Sequence, residues 1–301
     1  MSAVQHPATS RRPVIFGEVL YDVFPGEERV LGGAAFNVAW NLRGFGLDPL
    51  FISRVGRDEP GDRVIAAMEA WGLDTSGVQR DARLPTGTVQ VELNNGQPTF
   101  HILANQAYDA IDSDEARTRV AEEPTSILYH GTLALRAPKS REALEALRRV
   151  TSAAAFCDFN LRSPWWDSEQ VHGLLRRTKW TKLSDEELSA LAPSTTQEKW
   201  TREHLSDART ALKVVNLIVT RGENGACLLL ENGEWQAESA PAVTSIADTV
   251  GAGDAFSAVM LLGEHRGWSP AESLERAVAF AASTCRLRGA TCHDPEFYSQ
   301  A

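Results

Sequence analysis

Short apolar runs that alternate with amphipathic helical stretches are the feature that most restricts how this chain can fold. The runs lie at 13–17 (PVIFG), 50–55, 126–130 (SILYH), 153–158, 179–183, 216–220 (NLIVT) and 226–230 (ACLLL). An uninterrupted apolar run of this length fits a strand covered on both faces. Between the runs the spacing is helical. Residues 33–43 set Ala35, Val38, Ala39 and Leu42 on one side, residues 60–71 set Val64, Ala67, Met68 and Trp71 together, and residues 270–285 align Leu274, Val278, Ala281, Ala282 and Cys285. Ser269-Pro270-Ala271-Glu272 reads as a capping box with proline at the first helical position. Strand–helix alternation predicts a mainly parallel sheet covered on both faces.

Two segments break the rhythm. Residues 86–103 (TGTVQVELNNGQPTFHIL) hold two extended runs around Asn95-Gly96, a hairpin signal, and residues 18–31 (EVLYDVFPGEERVL) read as a second antiparallel excursion. Together they predict a small sheet over the carboxyl ends of the main strands, where such folds bind ligands. Nothing low in complexity divides the chain, so its 301 residues read as one α/β domain with an inserted lid. Val89, Val91, Leu93, Phe100 and Ile102 give the lid an apolar face. Bound ligand and core, or a second copy's lid, would cover it, and a homodimer through residues 86–103 is expected.

A formal net charge of -10 argues against nucleic acid or an anionic membrane as partner. No apolar run approaches the roughly 20 residues of a membrane span. Arg11 and Arg12 precede Pro13 without the sustained apolar stretch of a signal peptide. Cys157, Cys227, Cys285 and Cys292 are scattered, with no CxxC pair, which suits free thiols in a reducing cytoplasm.

Residues 248–257 (DTVGAGDAFS) concentrate the chemistry. Gly251 and Gly253 precede Asp254, and a helical apolar pattern then begins with Phe256, Val259 and Leu262. A glycine-rich turn into a helix presents unpaired N–H groups at the positive end of the helix dipole, and such a place attracts phosphate. Asp254 there is either a charge that favours the first helical turn or a base that takes a proton from a nucleophile attacking that phosphate. Gly32-Gly33 opens a helix that holds Asn37, and the pair reads either as a ligand-facing backbone with an amide beside it or as a tight turn with an exposed side chain. Asp158, Asn160 and Arg162 (DFNLR) follow a strand at a spacing of two, which aims all three one way while the chain stays extended. Ser184-Asp185-Glu186-Glu187 is a capping box whose carboxylates also suit a water-clad Mg²⁺. Thr220-Arg221-Gly222-Glu223-Asn224-Gly225 is either a hairpin turn or a nucleotide contact.

From about residue 13 to 294 the chain resembles the ribokinase/PfkB-type sugar kinases. GGAAFN (32–37) is similar to the family's first signature and DTVGAGDAF (248–256) to its second. Gly17 with Asp22, GRDEPG (56–61), DFNLR, KLSDEEL (182–188), TRGENG and RGAT (288–291) follow in order, and GEVLYDVFPGEE, NQAYDAI (105–111) and DFNLRSPWW look most like fructokinases. The resemblance implies a ribokinase-like three-layer α/β/α doubly wound sheet over 13–295. It also implies a small inserted β lid at about 18–31 and 86–105, and a flexible N-terminus over 1–12. It implies transfer of the γ-phosphate of ATP to a sugar hydroxyl. Asp254 would be the base, with Gly251, Ala252 and Gly253 forming an anion hole. Asp22, Gly32, Gly33, Asn37, Asn160 and Arg162 would bind sugar, and Lys182, Thr220, Gly222 and Gly225 would contact nucleotide. Glu187 would organise Mg²⁺. Family members often hold a monovalent cation, K⁺, on backbone carbonyls beside the anion hole, where Asp248 and residues 288–291 stand. One departure is Ser184, where the family's metal motif often begins with Asn.

Fructose leads as the implied substrate, with 2-keto-3-deoxygluconate, ribose and nucleosides behind it. Arg162 could pair with a sugar-acid carboxylate. A dinucleotide oxidoreductase would need G-x-G-x-x-G after an early strand, and a Walker-type NTPase would need Gly-Lys-Ser/Thr; neither occurs. A non-catalytic sugar-binding relative would be marked by loss of the base, and Asp254 is present.

Overall fold

Consecutive residues of each central strand enter different cores, which is what a sheet buried on both faces requires. In the computed structural model, which describes residues 11–26, 28–94, 97–122, 124–193 and 200–300, Val14 and Phe16 of β1 (Arg12–Phe16) pack on one face and Ile15 on the other. Likewise Leu217 and Val219 of β11 (Asn216–Thr220) face away from Ile218. Helices α1 (Ala34–Gly44), α2 (Glu59–Trp71), α8 (Ala252–Arg266) and α9 (Pro270–Thr284) cover the Ile15/Ile218 face. Helices α3 (Ser113–Ala121), α4 (Pro138–Val150), α5 (Ser168–Leu175) and α7 (Arg202–Leu212) cover the other. The result is a three-layer α/β/α arrangement.

The remaining strands of the main sheet are β4 (Leu50–Gly56), β5 (Val78–Asp81), β8 (Thr125–His130), β9 (Ala154–Asp158), β10 (Trp180–Ser184), β12 (Ala226–Leu229) and β13 (Trp235–Glu238). Their order is β13-β12-β11-β10-β9-β8-β1-β4-β5, parallel from β11 to β5, with β12 and β13 antiparallel. The chain winds from β1 outward through β4 to β5, then returns to β8 on the other side of β1. That reversal opens a crevice at the carboxyl ends of β1 and β8. The seven strands expected from apolar runs all form, within a residue of the expected ends. The two that carry no such run, β5 and β13, are the sheet edges, where one side lacks a neighbour and polar residues suffice.

The lid is a four-stranded sheet of order β3-β2-β6-β7, made from β2 (Leu20–Val23), β3 (Arg29–Gly32), β6 (Gly87–Asn94) and β7 (Gln97–Ile102). The expected turn residues Asn95-Gly96 lie outside the described residues, as do residues 1–10 of the N-terminus. Within one chain Val89 and Val91 are already 4% exposed, and Val89 joins the core of Leu20 and Tyr108. Phe100, opposite Val91, stays 48% exposed. At α9, Ser269 caps Glu272 N as expected, but the Glu272 carboxylate pairs forward with Arg276 instead of closing a capping box. Among the described residues no helix is long and apolar enough to cross a membrane.

Candidate active site

The site assembles where α1 and α8 begin, at the carboxyl ends of the strands. Beyond β1, Gly17 and Glu18 carry the chain over the sheet. Glu18 Oε1 accepts from Ala34 N at 3.1 Å, and a Cβ on Gly33 would lie 2.8 Å from Glu18 O. Gly33, with φ of 109°, therefore cannot carry a side chain, and the start of α1 is held tightly against the strand end. One turn on, Asn37 is buried rather than exposed, and its Nδ2 donates to Asp254 Oδ2 at 2.8 Å. Its Oδ1 is buried without a partner. A buried amide oxygen left free is a place for a ligand hydroxyl or water.

Asp254 is 9% exposed and sits in the first turn of α8. A helix start normally favours the carboxylate. Here burial outweighs that, and Asp158 and Glu18 add like charge, against the Asn37 hydrogen bond and the Lys182 ammonium; the acidity midpoint of Asp254 rises to about 7. Before it, Gly251 caps α8 with φ of 81°, and a Cβ there would come 2.4 Å from Ala290 Cβ. Ala252 N donates to Thr249 O at 3.3 Å. Asp248 ties this turn to the 288–291 loop, accepting from Val250 N at 3.0 Å and Gly289 N at 3.2 Å.

Asp22 reaches in from the lid. Burial raises its midpoint to about 6, opposed by the charge of Arg162, and a Cβ on Gly32 would lie 3.7 Å from its Oδ2. Gly32 and Gly33 therefore join two groups at the start of α1, with Asp22 beside Gly32 and the Asn37–Asp254 pair one turn on. The DFNLR stretch is not extended, contrary to expectation: β9 stops at Asp158, Phe159 is buried, and Asn160 turns the chain with φ of 41°. Asp158 consequently points into the protein while Arg162 is exposed at the mouth.

Beneath the site, Lys182 Nζ donates to both oxygens of Asp158 at 2.8 Å, and Ser257 Oγ donates to Asp158 Oδ2 at 2.8 Å. Glu187 closes a full capping box: its Oε2 accepts from Ser184 N at 2.8 Å, and Ser184 Oγ accepts from Glu187 N at 3.1 Å. Its Oε1 accepts from Leu161 N. Burial raises its midpoint, with Asp158 adding to the rise. Among the described residues no group of three or more His, Cys, Asp or Glu forms a ready metal cage. Thr220 ends β11, and residues Gly222–Asn224 form a 3-10 turn into β12. Gly225 has φ of 82°, and a Cβ there would meet Glu238 O at 1.9 Å, so packing against β13 alone demands this glycine.

Sequence reasoning overlooked Glu18 and Ser257. Glu18 carried one signal, an acid directly after a glycine that ends an apolar strand. Ser257 carried none.

The sequence pattern of the pfkB family carbohydrate kinases matches residues 16–296. The chain is 32% identical over 263 residues to a fructokinase of Klebsiella pneumoniae, covering 83% of each protein. It is 28% identical over 297 residues to the aminoimidazole riboside kinase of Salmonella typhimurium, covering 92% of this chain and 89% of that one. The solved structure of the uncharacterized sugar kinase PH1459 from Pyrococcus horikoshii in complex with ATP superposes with a TM-score of 0.78 at 26% identity, covering 92% of this chain and 93% of that one. The fold is ribokinase-like, and the chain belongs to the pfkB family of carbohydrate kinases, phosphotransferases with an alcohol group as acceptor.

Proposed function

We propose that this carbohydrate kinase is an ATP-dependent fructokinase in which Asp254 takes the proton of the attacking sugar hydroxyl. The observation that carries the reading is the Asn37–Asp254 hydrogen bond of 2.8 Å across two helix starts, with the carboxyl buried and its midpoint at about 7. A base is most effective when its midpoint lies near the working pH, and burial has moved this one there. The sugar oxygen attacks the γ-phosphorus, its proton passes to Asp254, the bond from the γ-phosphorus to its bridging oxygen breaks, and ADP leaves. Gly251, Ala252 and Gly253 supply the helix-start backbone for the charge on the transferring group, and Asp22, Gly32, Gly33, Asn37, Asn160 and Arg162 bind the sugar.

Lys182, Thr220, Gly222 and Gly225 contact nucleotide in this reading. Glu187 offers one carboxylate, already fixed by two backbone donors, a donor set that fits Mg²⁺ held through water. Mg²⁺, when bound, neutralises phosphate charge. The turn braced by Asp248 suits K⁺ on backbone carbonyls. Residues 13–295 form one kinase domain with the lid at about 18–31 and 86–105. The lid's exposed Phe100 supports a homodimer, and four free cysteines support a cytoplasmic setting.

Fructose is favoured by the Klebsiella fructokinase relative and by the GEVLYDVFPGEE and NQAYDAI segments. The second reading, a nucleoside-like acceptor, draws on the aminoimidazole riboside kinase relative. A sugar acid draws on exposed Arg162 at the mouth, and ribose has no specific support. The deciding experiment measures ADP release from Mg-ATP with fructose, ribose, 2-keto-3-deoxygluconate and aminoimidazole riboside. The fructokinase reading expects the highest kcat/KM with fructose and fails if another acceptor exceeds it tenfold, about 1.4 kcal/mol of transition-state preference.

A further inference from the structure

We propose that Asp158 and Ser257 are positioning residues for phosphoryl transfer, holding the Lys182 ammonium beneath Gly253 where its charge reaches both the anion hole and the base. The inference rests on the kinase reading above and adds a layer below it. Asp158 and Lys182 are register partners on β9 and β10, so the parallel pairing of these two strands sets the carboxylate beside the ammonium. The Lys182 side chain is 7% exposed and that of Asp158 is 2% exposed. A buried ion pair is a poor source of stability, since packed apolar residues of similar size would usually serve as well. Its presence calls for another reason.

The location supplies one. A Cβ on Gly253 would lie 3.4 Å from Lys182 Nζ, so the ammonium sits directly under the helix start that precedes Asp254. An ammonium carries three donors, and Asp158 takes two. Ser257, one turn after Asp254 on α8, donates to Asp158 Oδ2, so the helix that carries the base also fixes the carboxylate that fixes the lysine. The groups that face Asp254 are Glu18 beyond β1, Tyr129 of β8, Asp158 of β9, Lys182 of β10 and Asn37 of α1. Asp158 and Glu18 oppose ionisation of Asp254 and Lys182 favours it. Within the pair the two charges offset each other, and removing either member exposes the other to the base.

Opposite shifts are therefore expected from the two halves of the pair. In Asp158→Asn the acidic limb of kcat/KM moves to lower pH by about half a unit or more, and in Lys182→Met it moves to higher pH by a similar amount. Lys182→Met also lowers kcat by about tenfold or more, since a preorganised positive charge beside developing negative charge is lost. Ser257→Ala, the mildest change, lowers kcat by about threefold or more with the sugar KM unchanged, and carries the test if Asp158→Asn does not fold. A merely structural pair would lower the melting temperature in every variant and leave the limb in place. Limbs that stay fixed or move the same way, or a Ser257→Ala enzyme of normal kcat, overturn the proposal. Asp254→Asn separates the two levels. If the wild-type limb survives that change, Asp254 is not the base and the reading beneath fails. If the limb vanishes there yet ignores Asp158→Asn and Lys182→Met, only the positioning role fails.

Discussion

Asp254 of α8 and Glu187 of α6 (Asp185–Leu191) both stand at the third residue of a helix, yet their carboxylates go to opposite places. Glu187 turns back on its own helix start, because Ser184 at the cap offers a hydroxyl and a backbone N–H, and Leu161 N completes the set. Asp254 follows Gly251, which has no side chain to close a box, and its carboxylate is held across the crevice by Asn37 instead. The cap residue decides whether an acid at this position serves its own helix or faces the next element. At α6 the carboxylate is consumed by its own helix start; at α8 it is left for the neighbouring helix, while Ala252 N turns back to Thr249 O.

Exchanging the caps is the harshest way to break this comparison. Gly251→Ser brings a side chain into a backbone with φ of 81° and a clash 2.4 Å from Ala290 Cβ. Displacing the helix start is expected to lower kcat by about a hundredfold or more, and the backbone strain to cost about 1–2 kcal/mol. Steady-state kinetics beside a melting curve measure both, and normal turnover would show that the start of α8 need not be rigid. Asn37→Ala removes the hydrogen bond that favours ionised Asp254. A bond to a charged group is worth about 1.5–3 kcal/mol, so the acidic limb should rise by about a unit or more and kcat/KM at pH 7 fall by about fivefold or more. An unmoved limb in the pH profile would disconnect Asn37 from the base.

Glu187→Gln sharpens the other half. Both carboxylate oxygens accept backbone N–H groups, so the amide must turn its NH₂ toward one of them. The expected result is a melting temperature lower by a few degrees, from an unsatisfied donor costing about 1–3 kcal/mol, together with a Mg²⁺ half-saturation raised severalfold. A lower melting temperature with unchanged Mg²⁺ dependence would leave the carboxylate a cap alone. The smallest effect on turnover is expected from Phe100→Glu on the lid, where light scattering at micromolar protein should find a dimer reduced to monomer while kcat stays within about twofold. A wild-type monomer would remove the reason to invoke a second copy.

The central strands and the helices α1, α2, α8 and α9 were legible because burial on both faces writes an uninterrupted apolar run, and a covered helix writes a stripe; α3, α4, α5 and α7 were not singled out. β5 and β13 were not, since an edge strand needs neither. The glycine-rich start of α8 and the acid after it could also be read in the sequence. What it could not convey was register. Asp158 and Lys182 are 24 residues apart, and only the alignment of β9 on β10 makes them a pair. The same limit misjudged DFNLR, where one left-handed residue, Asn160, sends Asp158 inward and leaves Arg162 at the surface.

The central claim is that Asp254 accepts a proton rather than stabilising its helix, and turnover of Asp254→Asn beside its thermal stability tests it most directly. The folded-state midpoint of Asp254, about 7, lies above the ordinary aspartate value of 3.8. The group's favourable contribution is therefore complete only at low pH and is lost as pH rises through about 7. The asparagine variant escapes that loss, so its melting temperature relative to wild type should climb between about pH 4 and pH 7. A positioned base contributes ~10²–10⁴ in rate, so kcat should fall by at least about a hundredfold while ATP affinity holds or tightens. A helix-stabilising aspartate, worth only ~0.3–1 kcal/mol, predicts the reverse: a less stable protein whose turnover stays within about fivefold of wild type.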